Sequence, residues 1–245
     1  MNKYYYDLHI HSCLSPCGDN DMTPNNIAGM AVLNGLQIIA LTDHNTTDNC
    51  PAFFKACKKN GVIPVAGIEM TTAEDVHVVA LFPDLDSAME FGEEYKTHRT
   101  MIKNKVEIFG DQLILDENDE IIGNDDYLLI PATDLSIEDA AAMARSYGAV
   151  VFPAHIDRQE NGIIEVLGAI PEEPGFTCVE FYDKSKREEY IKKYSLENMG
   201  VLTDSDAHYL WKINEAENFI MIDDEPYSSD LVRRRLIEKI RNGSL

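Results

Sequence analysis

A chain of 245 residues, 44% of them hydrophobic, is long enough to bury one substantial core, and its net charge of −22 argues against a broad basic surface tracking long duplex nucleic acid. No run reaches the roughly 18 consecutive apolar residues of a membrane span, and Met1-Asn2-Lys3-Tyr4 lacks the apolar segment of a signal peptide. Five cysteines without regular spacing read as free thiols of a cytoplasmic protein.

In chain order, strand-like and helix-like stretches alternate. Tyr4, Tyr5, Tyr6, Leu8 and Ile10 give the first strand its bulk, and a period of two puts His9 and His11 on one face. Thr23-Pro24 opens a helix that Asn34-Gly35 closes. Leu36 to Leu41 is an apolar run of the kind buried on both faces. A helix over 50–59 ends at Asn60-Gly61, and strands over 62–66 and 76–82 follow. Ser136 with Asp139 forms a capping box, opening a helix that stops at Gly148. Further strands fall near 149–154, 176–182, 200–204 and 217–223, with helices near 185–198 and 228–242. This alternation predicts a parallel β/α barrel in one domain, residues 1–245. Residues 84–130 interrupt the repeat as an insertion over one rim: a helix from Asp86 to Phe109, then a hairpin over 113–122.

The chemistry sits where these strands end. His9 and His11 close the first strand, Asp43-His44 the second, and Gly67-Ile68-Glu69 the third; His77 lies on the fourth, His155 follows the strand near 149–154, and Asp206 and His208 follow the one near 200–204. Six of the seven histidines lie on or beside a strand; only His98 falls on a predicted helix, where it reads as a surface residue. The bland alternative, unrelated core and surface histidines, does not account for the accompanying Glu69 and Asp206. Imidazole with carboxylate suits Zn, Mn or Fe, and so many donors exceed one tetrahedral ion, so the set predicts two or three divalent ions.

The ordered motifs Asp7-Leu8-His9-Ile10-His11-Ser12, Thr42-Asp43-His44, Ala154-His155 and Ser205-Asp206-Ala207-His208, with Glu69 and His77 between, resemble the polymerase and histidinol phosphatase (PHP) superfamily of metal-dependent phosphoesterases. The resemblance implies a distorted seven-stranded β/α barrel of PHP type, here with a small helix-hairpin insertion, and a trinuclear centre. It places His9, His11, Glu69 and Asp206 around a first metal, with Glu69 bridging to a second held by His77 and His155. His44 and His208 would hold a third, completed from the loop after His11 by Cys17, Asp19 or Asp21. Counting from His9 favours Cys17, whose thiolate biases the site toward Zn.

Between two cations a water loses its proton near neutral pH and supplies the attacking hydroxide, with Glu69 as bridge. Asp43 would orient a neighbouring ligand, and His208 is a proton donor only if it is not itself a ligand. Arg158 matches an arginine that follows the third motif in phosphatase relatives, and a guanidinium fits phosphate bidentately. Lys184, Lys186 and Arg187 read as a solvated helix start. The expected activity is hydrolysis of phosphate mono- or diesters of small molecules, nucleotides or short nucleic-acid ends. A metal-dependent hydrolase of C–N or carboxyl ester bonds and a non-catalytic metal-binding regulatory module are the alternatives. No residue singles out one substrate, and none indicates an oligomeric state.

Overall fold

The computed structural model describes residues 1–245. Its main sheet is a curled half-barrel of six strands, in spatial order Phe219–Ile222 (β10), Asn2–Asp7 (β1), Ile38–Leu41 (β2), Ile63–Thr71 (β3), His77–Leu81 (β4) and Val150–Pro153 (β7). Cys178–Phe181 (β8) and Gly200–Thr203 (β9) form a separate parallel pair, and Leu113–Leu115 (β5) with Ile121–Asn124 (β6) form the hairpin of the insertion. The parallel barrel expected from the alternation is therefore delivered in part, and the seven strands that the resemblance implies are not joined in one sheet. β1, β2 and β3 run parallel, but β4 is antiparallel to both β3 and β7, and β10 is antiparallel to β1.

Loop length explains the reversal. Only residues 72–76 join β3 to β4, pinned by Thr72 N donating to Val76 O (3.0 Å) and by Asp75 in the left-handed region (φ 62°). So short a connection can make a hairpin but not a parallel crossover, which needs a dozen residues or more. The consequence matters for the site. The register pairs Thr71 with His77, so the start of β4 lies at the same rim as the end of β3.

The helices are Pro24–Leu33 (α1), Cys50–Asn60 (α2), Leu85–Tyr95 (α3), Val106–Phe109 (α4), Ile137–Ser146 (α5), Ile163–Leu167 (α6), Arg187–Tyr194 (α7) and Ser229–Arg241 (α8). Their ends follow local chemistry. The Thr23 side chain accepts from Asn26 N and Ser136 from Asp139 N, while Gly61 closes α2 at a φ of 72° that costs glycine little. The helix expected from Asp86 to Phe109 is split instead. α3 stops at Tyr95, a 3-10 turn covers Lys96–His98, and Arg99 is extended (ψ 143°). Beyond that break Met101, Ile102, Val106 and Ile108 are exposed, so no buried apolar stripe holds a continuous helix there.

Alternate strand residues feed two cores. Ile39 and Leu41 of β2 join the larger cluster, with Ile27 of α1 and Phe53 of α2. Ile38 and Ala40 join the smaller, which α8 covers through Val232, Leu236, Ile237 and Ile240. Both faces of β2 are thus buried, as its apolar run implies. No helix is long and apolar enough to cross a membrane.

Candidate metal centre

One rim of the half-barrel collects the polar residues. His9 and His11 continue from β1, and Ile10 between them bridges to Ala207 beside β9. His44 follows β2 and bridges to Glu69 in β3. His77 opens β4, His155 follows β7, and Asp206 and His208 follow β9. Two of these residues hold backbone conformations that side chains seldom adopt, His155 at φ 27° and Asp206 at φ 47°. Gly67 permits the close approach of β3: a Cβ there would lie 2.8 Å from side-chain atoms of Thr42 and Leu81.

Three overlapping groups of donors result, each with its ligand atoms within 4.8 Å of one another: His9, His11, Glu69 and Asp206; His44, Glu69 and His77; and His11, His44 and His208. Glu69, fully buried, is common to two of them. Its Oε1 lies 2.8 Å from His77 Nδ1 and 3.1 Å from His155 Nε2, and its Oε2 2.9 Å from His44 Nδ1. Six donors predicted from the sequence, His9, His11, His44, His77, His155 and Asp206, therefore converge on or beside one carboxylate, and His208 joins them by stacking on His11 at 4.2 Å between ring centroids.

The tautomers on the β1 side are dictated by neighbours. Glu180, in β8, sets both carboxylate oxygens 3.0 Å from His9 Nδ1, and Ser15 Oγ lies 2.9 Å from His11 Nδ1 while donating to Asp43. Each Nδ1 thus donates, and the two Nε2 atoms are left facing each other at 3.2 Å between oxygens of Glu69 and Asp206. Such a cluster of acceptors needs positive charge between them. Burial opposes charge on His9, but Glu180, Glu69 and Asp206 outweigh it and raise its pKa well above the usual value. Burial likewise opposes the charged form of Glu69, and the surrounding histidines, His77 and His9 foremost, still hold it well below the carboxylate range. Protons can supply that charge; divalent ions supply it better. His44 Nδ1, both His77 nitrogens, Glu69 Oε2 and Asp206 Oδ1 are buried without a hydrogen-bond partner, which fits donors that await a cation. Burial pushes His77 down to about 4, and the neighbouring Glu69 works against that shift.

The loop after His11 delivers Cys17 to the pocket beside His44 and His208. The surrounding protein opposes its thiolate, but those two histidines bring the pKa down to about 5. Gly18 lets the loop close: a Cβ would meet Ser12 O at 2.4 Å. Asp19 instead turns its carboxylate onto Asp21 N (2.9 Å), and neither aspartate lines the pocket. Asp43 binds Ser12 N, Ser12 Oγ and Ser15 Oγ, each at 2.7 Å, and so reaches His11 through Ser15. Arg158 ion-pairs with Asp206 Oδ2, on the side away from His9 and His11, and its guanidinium lies 4.9 Å from the Tyr182 ring centre. His98 is a surface residue paired with Asp134, Lys184 binds Glu217 and Lys186 the Asp157 carbonyl. All the donors but the fully buried His9 and His11 line a cavity of about 470 Å³ that Ile130, at the end of the insertion, also borders.

Two partners were missed from the sequence. Glu180 had a signal: it is the one charged residue in the apolar strand Cys178-Val179-Glu180-Phe181. Ser15 had none, since a loop serine three residues before Gly18 is unremarkable.

A half-barrel whose rim gathers histidines and carboxylates around a shared glutamate defines an α/β protein with a centre able to hold several metal ions. A family model described as PHP domain matches residues 7–210, and the chain belongs to that family. A 5'-3' exoribonuclease of Haemophilus influenzae is 32% identical over 79 residues, 31% of this chain and 28% of that protein. Two solved structures share the fold. One is a lesion-specific endonuclease from Pyrococcus furiosus (TM-score 0.68, 22% identity, 98% of this chain and 56% of that one). The other is a protein from Bifidobacterium adolescentis described as a metal-dependent phosphoesterase (TM-score 0.62, 19% identity, 94% and 95%). The chain thus matches under a third of the exoribonuclease and little more than half of the endonuclease.

Proposed function

We propose that the protein is a metal-dependent phosphoesterase acting on phosphorylated small molecules or short nucleic-acid ends. The observation that carries this reading is the pair of facing Nε2 atoms of His9 and His11, 3.2 Å apart between Glu69 and Asp206, with Arg158 on the outer oxygen of the same Asp206. Two or three divalent ions held by His9, His11, Glu69, His77, His155, Asp206, His44, His208 and Cys17 would supply Lewis acidity and lower the pKa of a water. Membership of the PHP family and the named activities of the relatives point the same way.

The chain's own residues do the rest. Glu180 and Ser15 keep the protons of His9 and His11 on Nδ1, so both Nε2 lone pairs stay turned inward. Asp43 fixes Ser15, and through it His11. Asp206 presents one oxygen to the histidines and holds Arg158 with the other, leaving the guanidinium at the cavity wall to grip a phosphate oxygen. His208 belongs with the ligands, which leaves the proton for the leaving group to come from solvent. The whole chain is read as one domain working in a reducing cytoplasm, where its five free cysteines remain thiols.

The test is a panel of phosphomonoesters, phosphodiesters, amides and carboxyl esters assayed with Mn and Zn. Phosphate release that depends on added metal is expected. Turnover of amides or esters alone would replace the reading by the C–N or ester hydrolase.

A further inference from the structure

From the geometry beside the centre we infer that the turn Tyr209-Leu210-Trp211-Lys212 is a nucleotide-reading element. It would stack a nucleobase on its aromatic pair and bind a further phosphate with Lys212. The inference rests on the phosphoesterase reading for the phosphate that enters the centre, and on separate observations for the rest.

The turn leaves directly from the residues of the site, one position after His208. It is held at both ends. Leu210 packs on the main core and Ile213 is buried within it, Lys212 N donates to Tyr209 O at 2.9 Å, and Asn214 N donates to Asp7 Oδ2 at 2.9 Å. The residues between those anchors are open to solvent: Trp211 is 72% exposed and Tyr209 40%. Their rings stack on each other at 4.7 Å between centroids and 28° between planes, so Trp211 backs Tyr209, which lines the cavity of the metal centre. Anchoring of the turn is done by Leu210 and Ile213. Trp211 adds little buried surface for its size, which leaves its outer face free to take a planar partner.

Lys212 supplies the second half of the argument. A neighbouring cavity of about 720 Å³ shares Arg158, Glu160, Tyr182, Ser205 and Lys212 with the first, so one elongated ligand can occupy both. Arg158 is engaged by Asp206, Lys184 by Glu217 and Lys186 by the Asp157 carbonyl. Lys212 has no ion-pair partner and lines both cavities. A rigid ring pair next to an unengaged ammonium, both within reach of a phosphate-binding centre, matches a base and a second phosphate on one molecule. A sugar phosphate would use the centre but neither of these features.

Trp211 is the only tryptophan, so its fluorescence reports the platform directly. Adenosine 5'-monophosphate should quench it saturably where ribose 5-phosphate does not, and 5'-phosphorylated diadenylate should bind more tightly than the mononucleotide. Trp211→Ala and Tyr209→Ala should each lower the ratio of kcat/KM for adenosine 5'-monophosphate over ribose 5-phosphate by about tenfold or more, and Trp211→Phe should restore most of it. Lys212→Ala should remove the advantage of the dinucleotide. Equal quenching by the two phosphates, or an unchanged ratio in both alanine variants, overturns the platform. If the native enzyme hydrolyses none of the phosphomonoesters and phosphodiesters of the panel, the phosphoesterase reading fails, and the fluorescence titration still decides the platform by itself.

Discussion

The two flanks of Glu69 are built differently. On the β1 flank each imidazole has an outer partner: Glu180 for His9, and Ser15 backed by Asp43 for His11. On the opposite flank His77 has no hydrogen-bonded nitrogen and His155 leaves Nδ1 bare, so these rings are oriented by packing and by Glu69 alone. Outer hydrogen bonds fix ring orientation and tautomer before any ion arrives, and ligands without them depend on the ion for their order. The first flank is therefore expected to hold its ion tightly, and the second to exchange more readily. Sequential loss of metal under a weak chelator, in two phases, is the behaviour this asymmetry predicts.

Removing what the flanks share should do most damage. Glu69→Gln keeps the volume but discards the charge that belongs to both groups of donors. Metal-dependent turnover should then fall by more than about 100-fold, beyond the range for a lost outer partner. Near-normal turnover with metal content intact would refute the bridge. Glu180→Ala should sharpen the contrast, since it also frees His155 N, which donates to Glu180 at 3.2 Å. Affinity for the tightest ion, read by competition with a chelator, should weaken about 10- to 100-fold, with Glu180→Gln between it and the native protein because an amide oxygen still accepts. An unchanged tight phase in Glu180→Ala would remove the physical basis of the comparison.

Arg158 separates substrate from metal. A charge-assisted hydrogen bond to phosphate contributes roughly 1.5–3 kcal/mol, about a ten- to hundredfold effect on binding. Arg158→Ala should raise KM and the inhibition constant of inorganic phosphate by about that factor while metal content stays the same, and Arg158→Lys should recover little. If kinetics and phosphate inhibition match the native enzyme in both variants, Arg158 serves only as the counter-ion of Asp206. The smallest effect is expected at His98, paired with Asp134 on the surface. His98→Ala should shift stability by less than about 0.5 kcal/mol in a denaturant titration and leave metal content alone; a larger change would mean that the insertion communicates with the rim.

The donor residues were legible because strand periodicity and strand ends leave a mark: His9 and His11 two apart, His44 after an apolar run, His155 after another. What sequence periodicity does not carry is strand direction. β4 was expected to be parallel, and the five-residue link over 72–76 made it a hairpin, which brings His77 to the correct rim by the opposite route. Cys17 could be preferred over Asp19 and Asp21 only by counting; it borders the same pocket as His44 and His208, while its sulfur belongs to none of the three donor groups. Outer partners were harder. Ser15 and Glu180 meet their histidines through tertiary folding, and in Glu180 that contact spans 171 positions of sequence. The expected helix to Phe109 failed because propensity extended it past Tyr95, where nothing is available to bury its apolar residues.

The central claim is a polynuclear centre bridged by Glu69, and metal stoichiometry tests it most directly. Protein purified without chelator and then loaded with Zn or Mn should carry two or three ions per chain by elemental analysis, and Glu69→Gln prepared identically should carry at least one fewer. Less than one ion per chain in the native protein after loading would contradict the account.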